Sequence, residues 1–558
     1  MSKRLSSYIY GKENVNFINS EDLLVNYLFS AGNTTEACMR ASHVADFKMN
    51  YIDSHFSDLT TNERNLLWNK NKNWFDKEIP MFADKNVDSK PLAKLAYNNI
   101  LYSKGILLST EQHMSSLIEE KGDEIAKNTY NELRNYRLQL NKLYESSKKS
   151  QSNSVAELEN KVTDLEKELS LQLKEYIPVQ DQRIEWQDVA NKLKEKEAVV
   201  EFVSYQVADS IIYDAYLLKK DYTSPKIIRL IKIGATTSLN KPDVYYSTEL
   251  SNHIWGKMST ELKDVKSIYF APAGDLYSIA IEALPLWDDS TKYVCDRWNF
   301  YRLSSTRQLV LAKPHRKYTK AAVYGGLTYK LSNNEEAADT VNAGNTDKTT
   351  TETTLYTTFD VKSLNTRGGI SELPATYTEA INIDKMLSAA KVPDKLETKK
   401  AGTEESFKGM SGKGFDLLHI ATHGFYWSES NASKLKRLSF LQENSSSENR
   451  SAEDKTLTRS GLLLTGAANS ILGIGLPKGA EDGVLTAGEV SQLNLSGLDL
   501  VVMSACQTGL GELSGDGVFG LQRGFKKAGA NALLMTLCKV DDNATSLLIL
   551  KSATTLKK

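Results

Sequence analysis

Apolar and polar positions along the first 175 or so residues recur with the period of a helix. After Thr60 and Glu63, which have the spacing of a capping box, Leu66, Leu67, Trp74 and Phe75 fall on a helical spacing. Pro91 opens PLAKLAYNNILYSKGILL, where Leu92, Leu95, Ala96 and Asn99 form a mostly apolar face. Proline is tolerated in a first helical turn, and Gly105 is expected to end or bend the element. From Asp123 to Leu143, a third pattern is carried by Ile125, Tyr130, Leu133, Tyr136, Leu140 and Leu143. The polar bridge ESSKKSQSNS then leads to a return helix in which Val155, Leu158, Val162, Leu165 and Leu169 recur at steps of three and four. These two segments are expected to form an antiparallel hairpin on an ordinary packing stripe. The series of short helices permits degenerate helical repeats, although no strict repeat of about 34 residues is visible.

Near Pro178 the pattern changes to runs rich in β-branched and aromatic residues. EAVVEFVSYQV from Glu197 and DSIIYDAYLL from Asp209 read as paired strands, followed by KSIYFAPAG from Lys266, NFYRLSS from Asn299 and KAAVYGG from Lys320. With helices expected over 300–312 and 376–390, the fold class is α/β after an all-helical N-terminal region. The expected organisation is a helical region at 1–177, a first α/β half at 178–330, a polar mobile insertion at 331–370 and a second α/β half at 371–558. A further polar insertion is expected at 442–456.

Two strand ends carry groups capable of chemistry. In FDLLHIATHGFY, residues 415 to 426, an apolar run interrupted by His419 ends at Ala421, Thr422, His423 and Gly424. In LDLVVMSACQTGLG, residues 498 to 511, the run from Leu498 to Met503 ends at Ser504, Ala505 and Cys506. Open α/β sheets gather their chemistry beyond the carboxyl ends of strands, which puts His423 within reach of a substrate. A thiol must lose its proton to attack an amide, and an imidazole titrating near neutrality can take that proton and pass it to the leaving amine. Cys506 and His423 are thus complementary, and the backbone N–H groups of Gly424 and Cys506 are the candidate oxyanion donors. His419 reads as a half-buried supporting residue. Cys38 and Cys295 read as structural or incidental, and Cys538 in MTLCKVDD is the rival thiol.

Charge and composition narrow the picture. Lys plus Arg number 69 against 70 acidic residues, so no global field draws in nucleic acid or an anionic membrane. No stretch reads as a signal peptide or a membrane span, and four scattered cysteines suit reduced thiols, so a cytoplasmic protein without membrane insertion is expected. With no HExxH helix or dense ligand cluster, neither metal nor cofactor is expected.

In this order, the fragments IEWQDVANKLKEKEAVVEF from Ile184, YFAPAGDLYSIAIEAL, YRLSSTRQLVL, ISELPATYTEA, HIATHG, SGLLLTGA, DGVLTAGEVSQLNL, VVMSACQTGLG and AGANALLMTLCKVDD resemble the CHAT domain. This caspase-like domain is associated with helical repeats and is grouped with caspases, separases and gingipains among cysteine peptidases. The resemblance covers about two thirds of the chain. It implies a caspase-like three-layer α/β/α sandwich whose half at about 184–330 is inactive-looking, with His423 and Cys506 as a catalytic dyad needing no third acidic residue.

The resemblance also implies hydrolysis of peptide bonds in a protein partner, a regulatory protein bound by the N-terminal helices, and a role in bacterial defence or programmed death. The resemblance to separases and gingipains further implies cleavage after Lys or Arg rather than after Asp. Asp482, Glu512 and Asp516 border the active-site loops, and a desolvated carboxylate there would select such a side chain, with Asp516 the first choice. Self-cleavage in the two insertions follows as an expectation. Two departures favour the alternative of an inactive interaction scaffold. Cys538 stands where the family has tryptophan, and Lys558 comes soon after NATSLLILKSA, short of the family's last elements.

Overall fold

The computed structural model describes residues 15–145, 152–173, 183–312, 317–331, 370–427, 452–505, 508–514, 517–537 and 541–555. The 331–370 insertion apart from its two end residues, positions 442–451, and Cys506, Asp516 and Cys538 lie outside the described residues. Two compact units emerge. The first comprises Met1–Leu117, Glu166–Pro314 and Leu513–Gly517, and the second Ile118–Leu165, His315–Glu512 and Val518–Lys558.

The first unit begins with helices α1 (Val15–Ser30), α2 (Thr34–Phe56), α3 (Thr61–Asn73), α4 (Ile79–Lys85) and α5 (Lys90–Ser103). The capping box starts α3: Glu63 N–H donates to Thr60 Oγ1 at 3.3 Å and Thr60 N–H to Glu63 Oε2 at 2.8 Å. A π-helical turn, Trp74–Glu78, joins α3 to α4 and buries Trp74 and Phe75. Leu66, expected on the same face, is 56% exposed because α3 turns Arg64 and Trp68 inward, and the wider π turn then shifts the phase. Gly105, at φ +70°, follows α5 in a left-handed conformation that glycine adopts without a Cβ clash.

The sheet of this unit runs β3–β2–β1–β4–β5, with β1 Glu197–Val207, β2 Ser210–Lys219, β3 Lys226–Gly234, β4 Ser267–Ala271 and β5 Asn299–Arg302. The first three strands are antiparallel, whereas β4 and β5 run parallel to β1. Both faces are apolar: Val199, Val203 and Tyr205 meet the helices, and Ala198, Val200 and Phe202 join Trp255, Met258 and Leu262 in a second core. Two-sided burial accounts for the near-continuous apolar run of β1. The helix expected over 300–312 is confined to Gln308–Leu311, because 299–302 is taken into the sheet beside β4.

At the end of β4, Lys104 Nζ donates to Glu201 Oε1 at 2.6 Å and to the carbonyls of Phe202 and Ala271, each at 3.1 Å. Glu201, wholly buried, accepts on Oε2 from Thr306 N–H at 2.7 Å and Thr306 Oγ1 at 2.6 Å. Burial pushes the Lys104 ammonium toward its neutral form, and Glu201 pushes back.

The helical hairpin consists of α6 (Glu124–Glu145) and α7 (Ser152–Leu173). Tyr144 donates to Glu159 Oε1 at 2.7 Å, and Leu133, Leu140 and Leu165 are buried, while Ile125 is 64% exposed.

The sheet of the second unit is parallel throughout, ordered β13–β12–β8–β6–β7. Its strands are β6 Ala321–Leu327, β7 Asp394–Lys399, β8 Leu417–Ala421, β12 Leu500–Ser504 and β13 Ala532–Leu534. Helices cover both faces. On one, α8 (Pro374–Ala389) and α12 (Asp542–Thr555) pack Ala380, Ile383, Leu387 and Ile549 on Ala321, Val323 and Val502. On the other, Phe407 of α9 (Glu404–Lys408), Val490 of α10 (Ala487–Val490) and Phe525 of α11 (Leu521–Lys527) meet Leu418, Ile420, Val501 and Met503. Gly325 is essential to the fit of α8, since a Cβ there would lie 2.5 Å from the Thr376 carbonyl oxygen. A small antiparallel sheet of β9 (Gly424–Tyr426), β10 (Ser460–Leu463) and β11 (Val484–Thr486) begins where β8 ends.

Candidate active site

His423 occupies the corner between β8 and β9. The parallel ladder pairs Leu417 with Leu500 and continues to Ala421 with Ser504, after which Thr422 N–H donates to the Ser504 carbonyl at 3.3 Å. The antiparallel ladder takes over at once, with Leu463 N–H donating to the His423 carbonyl at 2.9 Å. Thr422 locks the corner by donating its hydroxyl to the Leu463 carbonyl, and Tyr329 OH lies 2.8 Å from Thr422 Oγ1.

The His423 residue is 2% exposed, more enclosed than a strand-end position suggests, because Tyr329 packs 4.9 Å away, centroid to centroid. Its Nε2 lies 2.8 Å from the Ser371 carbonyl oxygen. A carbonyl only accepts, so Nε2 carries the hydrogen and Nδ1 is the accepting nitrogen of the neutral ring. Gly424 is buried and opens β9 opposite Leu462.

At the end of β12, Ser504 and Ala505 are buried. The Ala505 carbonyl accepts from Thr536 Oγ1 at 2.5 Å, and beyond positions 506 and 507 Gly509 N–H donates to the Thr536 carbonyl at 2.9 Å. A Cβ on Gly509 would come within 2.7 Å of Leu537 Cδ2, so glycine permits this close approach. The two described thiols are both free. Burial pushes Cys38 up, and burial followed by the neighbouring Asp296 carboxylate pushes Cys295 up, so neither is an activated thiolate.

Beneath the strand ends lies a polar contact that the sequence reading missed. Glu379 of α8 is wholly buried, with Oε1 2.9 Å from His419 Nε2, without hydrogen-bond alignment, while Oε2 accepts from Ser504 Oγ at 3.1 Å. The ISELPATYTEA fragment contains this glutamate, but nothing in its spacing links it to strands 40 and 125 residues away.

The candidate acidic residues have separate surroundings. Glu512 forms an ion pair with Arg459, whose side chain is 6% exposed. Asp482 accepts from Val484 N–H at 2.8 Å, and burial holds its carboxyl above the usual range. Beside it, the carboxylates of Glu404, Glu481 and Glu489 converge within 4.8 Å of one another, the one acidic grouping of metal-binding spacing found among the described residues. Lys408 Nζ bonds all three, with Glu489 at 2.7 Å, so an ammonium already supplies the cation. Burial pushes Glu481 up, yet hydrogen bonds from Glu404, Lys142 of α6 and Lys408 outweigh it and hold the carboxyl at about 2.

No described helix is long and apolar enough to cross a membrane. A family model for the CHAT domain matches residues 245–558, more than half of the chain and starting later than the resemblance read from Ile184. No curated protein matches the chain.

Proposed function

Because the chain belongs to the CHAT-domain family of caspase-like cysteine peptidases, we propose that it hydrolyses peptide bonds in a protein partner through Cys506 and His423. The observation that carries this reading is the β8–β12 register, which has a constant offset of 83 positions from Leu417 and Leu500 to Ala421 and Ser504. In the sequence, His423 follows Ala421 by two positions and Cys506 follows Ser504 by two, so both candidates come directly after the paired strand ends. The helices on both faces of the parallel sheet support a caspase-like three-layer sandwich.

In the proposed reaction, His423 Nδ1 takes the Cys506 proton and the thiolate attacks the scissile carbonyl. The Gly424 and Cys506 amides hold the oxyanion. Its collapse forms a thioester while His423 protonates the leaving amine. Water, deprotonated by His423, then releases the acid and the thiol. Substrates with Lys or Arg before the scissile bond fit an acidic pocket. Asp516 is the first choice, since Glu512 is balanced by Arg459 and burial favours the neutral form of Asp482. The N-terminal helices are the proposed site for a regulatory protein, and the reaction requires no cofactor.

The test is a library of peptides bearing Lys, Arg or Asp before the scissile bond, incubated with wild type, C506A and H423A. Cleavage after Lys or Arg by wild type alone supports the proposal, and equal cleavage by all three proteins refutes the dyad. No cleavage, together with Cys506 alkylation no faster than that of exposed Cys295, would identify an inactive scaffold.

A further inference from the structure

Resting on the proposed dyad, we infer that Glu379 is a positioning residue for it. The carboxylate lies entirely inside the second unit, where an unpaired charge is costly. Its two oxygens meet groups on two adjacent strands, His419 of β8 and Ser504 of β12. Ser504 stands two positions before Cys506, and His419 four positions before His423. Alternation within the paired strands places His419 and Ser504 on the same sheet face. Glu379 therefore touches both the strand that leads to His423 and the strand whose chain continues to position 506.

The same segment also holds the base. Ser371, three residues before Pro374 opens α8, presents its carbonyl to His423 Nε2, and Glu379 lies in the body of that helix. One turn earlier on the same buried face, the helix start is fixed by Gly326 N–H, which donates to Thr376 Oγ1 at 3.0 Å. Glu379 thus pins α8 to the strands that carry the dyad, while the approach to α8 fixes the imidazole tautomer. Loss of the bridge is expected to disturb alignment of the reacting groups more than entry of substrate.

Glu379→Gln tests this with little change in volume. The amide can still accept from Ser504 but no longer presents a carboxylate charge to His419 Nε2, weakening the bridge on that side. In the full chain, Glu379→Gln is expected to lower kcat roughly tenfold or more with KM changed less than about twofold. It should also slow alkylation of Cys506 by iodoacetamide at pH 7, located by peptide mapping, and raise the pH at which that rate reaches half its maximum. Folding support alone would lower the melting temperature without moving that inflection.

Wild-type kcat and an unchanged Cys506 profile in folded Glu379→Gln would overturn the inference and leave the dyad intact. If Cys506 of the wild type reacts no faster than Cys295, the dyad fails and this inference with it. Should Glu379→Gln not fold, Ser504→Ala removes only the hydroxyl side of the bridge. It is expected to lower kcat roughly threefold or more, and no change would overturn the inference.

Discussion

Each unit contains a five-stranded sheet with a polar cluster at the end of parallel strands, and the clusters resolve their charge in different ways. In the first, Lys104 spends its three donors on Glu201 and two carbonyls, while Glu201 accepts from Thr306. The charges close on one another, as suits a structural centre. In the second, the Ser371 carbonyl fixes His423 in the tautomer with an accepting Nδ1, and Glu379 bridges His419 and Ser504 below. Similar strand ends can therefore close their charges on one another or hold an imidazole with one nitrogen bound and the other left to accept, as the proposed reaction requires.

The sharpest way to break this comparison is chemical. C506A and H423A are each expected to lower peptide cleavage at least about 10³-fold in initial rates, with thermal denaturation checking that each variant is folded at the assay temperature. Next comes the cluster of the first unit. Lys104→Met should strand Glu201 as a buried charge and destabilise that unit by about 3–5 kcal/mol in urea denaturation followed by tryptophan fluorescence.

A pH dependence sharpens the contrast further. Burial, then the nearby Asp84 carboxylate, raises Asp214 of β2 from 3.8 to about 7, while Tyr205 OH, Arg229 and Lys257 pull it down. The folded chain keeps this carboxyl protonated where the unfolded chain has ionised it. Its stabilising contribution is therefore complete below about pH 4 and drains away as pH rises to about 7. Wild type is expected to lose up to about 4 kcal/mol over that range, a slope that Asp214→Asn should remove in urea titrations at successive pH values. The smallest expected effect lies outside both sheets: Thr60→Ala should cost about 1 kcal/mol through loss of the α3 cap, measured by the same denaturation.

Local chemistry made many of these elements legible. The Thr60–Glu63 spacing specifies its own cap, Pro91 falls in the first turn of α5, and the apolar runs at Glu197 and Ser267 become β1 and β4. In contrast, β7 is DKLETK, an edge strand without an apolar run, recognisable only from its pairing with β6. Strands β9 and β11 are three residues each, too short for periodicity to register. At the site, the position of His423 at a strand end could be read from FDLLHIATHG. Its Ser371 partner could not, because a backbone carbonyl has no residue signature, and the Glu379 bridge exists only once α8 packs on the sheet.

The parallel pairing of Ala421 with Ser504 has a consequence for biosynthesis. A ribosome must release most of this sequence before the partner strand of β8 exists, and pairings so distant along the chain form late. A growing polypeptide therefore passes through most of its synthesis without the β8–β12 pair, and cleavage by the proposed dyad would begin only once the sheet is complete.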